Sequence, residues 1–427
     1  MLRFLSRYKL LLSFIYLTLF TALGSTPMNE VFRFSGRANQ IFALLLYMPF
    51  MAVICWKLFC DLKHFQKHIA NLLYYVFGFY YIFLSAIRIL YGMEVKENIY
   101  YSVVLFGAIA LWLQLRDDRL KLANLELRAN LTGILIYTVA VKILLTGLTG
   151  YVFSNEPLNN LYSTSVLVML IPFMIEGLKE KTGRKAVLYP ILLCLSAVLI
   201  LICASRAVVM LSICVLAIVL VMHLRERRAL VKTVISIFCA IAIVASLAAF
   251  DAGRVRYSLY REFGFVIGGQ MDDDPSDDFD EDQIIAEDQT ERSDSMRSDL
   301  LKLGVEEVKK NFLFGTGNLF YTYDLGYKTM EQTAHNFLVE SMVCFGLIGT
   351  LMIAAIVIFM VSSCGMFKKS TVCSWQKKIS VLAVLFHYFA FGMVQPSVYN
   401  ALLCPLFALL MAYYGSKLPK SEVTVEE

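Results

Sequence analysis

Charge is scarce in this chain. Asp, Glu, Lys and Arg make up only 17% of its 427 residues, against 58% hydrophobic, and the mean hydropathy is +0.64. A soluble protein of this length would need far more polar surface, so a water-soluble globular enzyme is excluded and a polytopic membrane protein is expected. Histidine is scarcer still. Four of the five (His64, His68, His223, His387) fall on expected inner loops or within an apolar run. No external metal site can be assembled from them, and metal-independent chemistry without a cofactor is expected. None of the ten cysteines lies in the one large polar segment, 251–334, so neither a disulfide framework nor a CxxC metal site is expected there. No nucleotide-sugar motif faces the cytoplasm, and no phosphate loop occurs: Gly315 and Gly317 turn the chain, but no strand precedes them and no Lys-Ser/Thr follows. Nor is there an internal repeat, which counts against a secondary transporter built from two related halves.

What the chain does have is a series of apolar runs of roughly 20 residues, the length that crosses a ~30 Å hydrocarbon core. They cover 10–24, 41–59, 69–91, 99–115, 131–152, 161–178, 186–204, 207–222, 233–250, 336–361, 379–395 and 398–415. The first, behind Arg3, Arg7 and Lys9 and ending in Ala22 and Gly24, looks like a signal peptide but reads better as an uncleaved helix. Alternate short connections hold 24 basic residues, the others only Arg33, Arg37, Lys96 and Arg206. The positive-inside rule then puts both termini in the cytoplasm and residues 251–334 outside. Trp56, Trp112 and Trp375 fall at the inner helix ends, where interface anchors are expected. The fold class is therefore an all-α polytopic membrane protein. About twelve transmembrane helices carry a large helical extracytoplasmic loop before the third-last. Three regions follow: 1–250 with helices one to nine, the loop 251–334, and 335–427 with helices ten to twelve and a cytoplasmic tail.

The net charge of +5 conceals a division. The loop has 19 acids and 9 bases, a net of −10, so the remainder carries +15. The basic pI of about 8.5 thus reflects cytoplasmic anchoring and gives no sign of a nucleic-acid partner. Within the loop, DAGRVRYSLYREFGFVIGG suits an interfacial helix. Eight acids follow among residues 272–282. An EF-hand beginning at Asp278 would need Gly where Gln283 stands, so a solvated, flexible charge run is expected. Last comes an amphipathic helix with Leu300, Leu301, Leu303, Val305 and Val308 as its apolar stripe, ended by Asn311.

After Arg297 and this helix come FLFGTGNLF, Phe312 to Gly317 turning the chain, and then HNFLVESMVCFGLIG, with His335-Asn336 and the run Gly346 to Gly349. Ser205-Arg206-Ala207 stands between two helices. Over residues 200–361 these motifs resemble the O-antigen ligase and O-antigen polymerase superfamily of bacterial membrane glycosyltransferases. Two departures from that pattern stand out: Phe312 replaces a proline often found before the Gly-x-Gly turn, and Cys344 replaces an acid, with Glu340 one turn earlier. The resemblance implies a donor glycan on undecaprenyl pyrophosphate and an acceptor glycan or glycolipid, in the inner (cytoplasmic) membrane of a bacterium. It also implies surface-polysaccharide or lipopolysaccharide biosynthesis at the cell envelope, among membrane lipids and other assembly proteins.

Such a donor leaves as a pyrophosphate, which calls for fixed cations at the outer boundary, and arginine holds phosphate oxygens bidentately without losing its charge. Arg206, Arg297 and Arg88 are the candidates for pyrophosphate binding. Arg88 also suits snorkelling to the interface, and Arg297 a plain surface charge on the loop helix. His335 is the candidate general base, suited by an ordinary pKa near 6.5; a capping or interface histidine is the alternative. Glu340, on the same helix, could orient the imidazole or pair with an arginine, although a spacing of five is not the best helical geometry. Tyr257, Tyr260, Tyr321, Tyr323 and Tyr327 could stack on sugars or form an aromatic belt. Lys142 is expensive within a span and has no evident role. The rival readings are a polytopic transporter and a non-catalytic partner in surface-polysaccharide assembly.

Overall fold

The computed structural model describes residues 2–23, 36–90, 96–120, 122–149, 160–180, 182–203, 205–223, 226–250, 255, 259, 298–316, 321–324, 329–332, 334–368, 374–395 and 400–416. The acidic run 272–282, Arg297, Tyr257, Tyr260, Tyr327 and Cys373 lie outside the described residues. A helix lies over each of the twelve apolar segments. After the short α1 (Leu2–Arg7) come α2 (Lys9–Leu23), α3 (Gly36–Lys63), α4 (Ile69–Leu90), α5 (Lys96–Arg116) and α6 (Asn124–Thr149). Then follow α7 (Asn160–Met169), α8 (Ile171–Gly177), α9 (Arg184–Leu201), α10 (Arg206–His223) and α11 (Arg227–Ala249). The series closes with α12 (Phe337–Ser363), α13 (Trp375–Gly392) and α14 (Leu403–Ser416).

Six of these helices contain a segment long and apolar enough to cross a membrane, namely α3, α4, α6, α9, α11 and α12. Four more are apolar but shorter: α2, α5, α10 and α14. The chain is a multi-pass membrane protein. The shorter helices need less hydrophobic length where they are wrapped by protein. Along α5 almost every residue from Val104 to Leu113 is buried, and α14 is buried from Leu403 to Tyr414; the two pack on each other at the centre of the bundle. Helices that are apolar all round are expected at such a position. One of the expected interface anchors is therefore misplaced: Trp112 of α5 is only 1% exposed, with the Arg116 guanidinium 5.2 Å over its ring. Trp56 and Trp375 are exposed.

Between α11 and α12, residues 298–310 form the expected loop helix, and Asn311 ends it. Its buried stripe is narrower than the apolar pattern suggested. Leu300 is fully buried and Val308 packs with it, whereas Leu301 and Val305 stay exposed. Leu300 meets Ala334 and Val343, so a small satellite core joins the loop helix to the head of α12. The loop is not wholly helical. Tyr321–Asp324 pairs antiparallel with Thr329–Gln332, Tyr321 opposite Gln332 and Asp324 opposite Thr329. The Tyr-Thr-Tyr run has the β-preference of aromatic and β-branched residues, which a helical reading of the loop overlooked.

The end of the bundle away from the loop is closed by ions. Lys57 of α3 donates to Asp61 Oδ2 at 2.7 Å and to Asn71 Oδ1 of α4 at 3.0 Å. Asp61 also accepts from Tyr75 and Arg119, and Arg119 reaches the His64 carbonyl at 2.8 Å. Both Lys57 and Asp61 are buried. At the same end Lys179, Gln376 and Glu226 link the ends of α8, α13 and α11. Lys232 donates to the Leu178 and Glu180 carbonyls at 3.2 and 3.1 Å, capping the orphan acceptors after α8.

Candidate functional site

The loop end is organised by a break in α12. Gly346 has φ +63° and ψ −172°, which no helix accommodates, so α12 consists of two half-helices. A break at membrane depth frees backbone groups that lipid cannot satisfy. Here the 312–316 turn fills the gap. Leu347 and Ile348 donate their amides to the carbonyls of Phe312 and Leu313, at 2.8 and 3.3 Å. In return the Thr316 amide donates to the Val343 carbonyl at 2.6 Å, and the Thr316 hydroxyl to the same oxygen at 3.3 Å. The last two carbonyls of the upper half-helix are taken by side chains of α4. Arg88 Nη2 donates to Cys344 O at 3.0 Å, and the Tyr80 hydroxyl to Phe345 O at 2.8 Å.

Both glycines are required. Gly315 has φ +71°, and a Cβ added there would lie 2.5 Å from the Gly346 nitrogen. A Cβ on Gly346 would collide with the Leu313 carbonyl and the Gly315 amide. The two glycines face each other so that turn and half-helix can approach through backbone alone. From sequence Gly315 was read as a turn residue and Gly346 only as the start of a run within a span; the structure shows that each makes room for the other. Tyr80 and Thr316 were not singled out from sequence. Tyr80 stands eight residues before Arg88 on one helix, a same-face spacing that offered a signal.

His335 sits at the mouth of this upper half-helix with φ +49°. A left-handed backbone is uncommon for a residue with a side chain, although histidine is among those that tolerate it. It takes the chain from buried Ala334 into α12 and leaves the imidazole half-buried at the helix mouth. Asn336, not His335, is the cap: its Oδ1 accepts from Leu338 and Val339 at 3.1 and 3.2 Å. The His-Asn pair thus separates two tasks, with Asn holding the helix start and His standing beside it. Glu340 is fully buried in the first turn, where the positive end of the helix dipole favours an acid. One turn further is Cys344, within electrostatic range of both Glu340 and Arg88.

The five site residues are placed unequally. His335, Glu340 and Arg88 are brought onto one unit, the upper half-helix and its α4 neighbour. Arg88 is buried and turned to the Cys344 carbonyl, so its observed partner is the negative end of a half-helix rather than the interface. Arg206 is exposed in the first turn of α10, behind Ser205, whose carbonyl starts the helix by accepting from Val209 at 3.1 Å. Guanidinium and helix N-terminus are both positive there, and both favour an anion. Short connections put the start of α10 and the start of α12 at the same end of the bundle, with α13 packed against both. Lys142 is buried on α6, only 1% exposed.

Residues 191–354 match the family model described as O-antigen ligase. The matched stretch runs from α9 through Arg206, the loop and His335 to beyond the break in α12. No curated protein matches the chain.

Proposed function

We propose, from the match of residues 191–354 to the O-antigen ligase family model, that the chain is a membrane glycosyltransferase moving a glycan from a polyprenyl pyrophosphate to an acceptor sugar hydroxyl. In this reading about twelve helices span the cytoplasmic membrane of a bacterium, both termini are cytoplasmic, and the loop end is extracytoplasmic. The observation that carries it is the coincidence of the matched stretch with the loop end, the end of the bundle at which Arg206, His335 and the break in α12 all lie.

The imidazole of His335 takes the acceptor's hydroxyl proton as that oxygen attacks the anomeric carbon. The bond from that carbon to the donor's phosphate oxygen breaks, and the pyrophosphate leaves with the electron pair. Products are a new glycosidic bond and polyprenyl pyrophosphate. Arg206 and Arg297 meet the growing charge of the leaving group, the part of the reaction that fixed cations stabilise most. Arg88 contributes to that positive field while holding the half-helix that carries the base. Glu340, buried beneath His335, keeps the local field favourable to a protonated imidazole after transfer. No step calls for a metal or cofactor.

The test is turnover in nanodiscs with a polyprenyl-pyrophosphate oligosaccharide as donor, following release of the lipid pyrophosphate and the length of the glycan. Elongation with donor alone identifies a polymerase, and dependence on an added acceptor glycolipid identifies a ligase. Donor that stays intact with every acceptor offered contradicts the reading.

A further inference from the structure

The 312–316 turn belongs by sequence to the loop outside the membrane, yet its backbone is pinned deep beside α12 and α4. Gly346, against which it packs, lies nine residues beyond Phe337, about 13 Å along the helix axis. The whole of α12 has 27 residues, about 40 Å against a ~30 Å hydrocarbon core, so a centred helix puts Gly346 well below the headgroups. A second gauge agrees. Tyr80 stands at the middle of α4, and its hydroxyl reaches both Phe345 O and, at 3.4 Å, Phe314 O.

At this depth the turn exposes three consecutive large apolar side chains: Phe312 at 49%, Leu313 at 51% and Phe314 at 54%. On α4, whose Tyr80 touches the turn, Phe79 and Phe83 are exposed as well, so the apolar surface continues onto a membrane helix. The first three carbonyls of the turn and its last two amides are bonded to protein. The carbonyls of Phe312, Leu313 and Phe314 accept from Leu347, Ile348 and Tyr80. The amides of Gly315 and Thr316 donate to Asn311 and Val343. Non-helical backbone survives within the hydrocarbon region only when its hydrogen bonds are satisfied by protein.

We infer that 312–316 is a re-entrant turn whose Phe312, Leu313 and Phe314 side chains are embedded in the acyl chains of the leaflet on the loop side. The charged face of the preceding helix, with Lys302, Lys309 and Lys310 exposed, stays in the headgroup and water layer above it. The loop is thereby anchored in the bilayer at a fixed depth, and because the same turn clasps the half-helix behind His335, the height of the imidazole above the hydrocarbon is fixed with it.

The experiment places a photoreactive benzoylphenylalanine at Phe314, and in a second variant at Leu313, in the full chain in phosphatidylcholine/phosphatidylglycerol nanodiscs. Phe79 serves as a membrane-facing control and Lys310 as a water-facing one. After irradiation, mass spectrometry is expected to find phospholipid adducts at 314, 313 and 79, and none above background at 310. Adducts at 79 with none at 313 or 314 overturn the inference. So do adducts at 313 and 314 to protein alone, from this chain or a second copy. The readout uses no glycan donor, so its outcome is independent of whether the transferase reading holds.

Discussion

The two ends of the bundle spend their charges differently. Away from the loop, Lys57, Asp61 and Arg119 neutralise one another, with Asn71 and Tyr75 completing the set. Arg128 meets Glu180, and Lys179 meets Glu226. At the loop end Arg88 holds a backbone carbonyl, and Arg206 stands exposed on a helix start that is already positive. An end whose ions are matched internally is built to hold helices together. In the proposed function the cations of the loop end serve instead to hold the broken helix and to meet the leaving pyrophosphate. Under that proposal stability rests on one end and chemistry on the other, although both carry buried arginine or lysine.

Three perturbations sharpen that contrast. The largest effect is expected from Asp61→Ala, which leaves Lys57 and Arg119 facing each other without their shared carboxylate in a buried setting. Removing one partner of a buried ion pair costs about 3–5 kcal/mol. Thermal unfolding followed by size-exclusion chromatography should show a severe loss, whereas transfer per folded molecule should persist. Loss of catalysis in correctly folded Asp61→Ala would erase the distinction between the ends.

Next comes Gly346→Ala. A side chain at φ +63° costs about 1–3 kcal/mol, and the collision with the Leu313 carbonyl adds overpacking of similar size. The same unfolding assay should register a destabilisation of the same order as that of Asp61→Ala, but here turnover per folded molecule should fall as well, since the half-helix under His335 loses its clasp. Retained turnover with lowered stability would make the clasp merely structural.

The smallest effect concerns His68, at the end away from the loop. Partial burial, and then the nearby Arg116, hold its imidazole below the ordinary value of 6.5. Its Nδ1 lies 3.0 Å from Arg116 Nη1 and accepts from the Ala70 amide, which suits the neutral ring. The unfolded chain thus binds the proton more readily. The contribution to stability is whole above about pH 6.5, erodes as pH falls below it, and levels off once the folded form is also protonated. Stability of His68→Gln should lack this component between pH 7 and 5, a difference read from paired melting curves. A raised rather than lowered pKa would reverse its sign.

Much of the helix layout was legible because burial in lipid and burial in protein both leave long apolar runs. The loop helix and its end at Asn311 were legible for a similar reason, through periodicity and a turn signal. The clasp was not. Tyr80 and Phe345 are 265 residues apart, and Arg88 and Cys344 are 256 apart. Local pattern carries no information about such pairings. Arg88 was visible as an unusual cation, but its carbonyl partner was not. Trp112 fitted the position of an interface anchor, yet α5 is central, and only the packing reveals that the ring never reaches lipid. Lys57 counted as one more inner charge, while Asp61, one turn away and on the same face, holds it in a buried network. At the site, His335 and Asn336 were read together; the division between a histidine in left-handed backbone and an asparagine cap needed coordinates.

The most direct test of the central claim is the rate of glycan transfer by His335→Ala, measured per folded molecule against the wild type in the same nanodiscs with saturating donor and acceptor. General-base catalysis contributes about 10²–10⁴-fold, and a loss in that range, with donor binding preserved, is the predicted result. A variant that transfers glycan at the wild-type rate would contradict the account, because it would leave the loop end without its base.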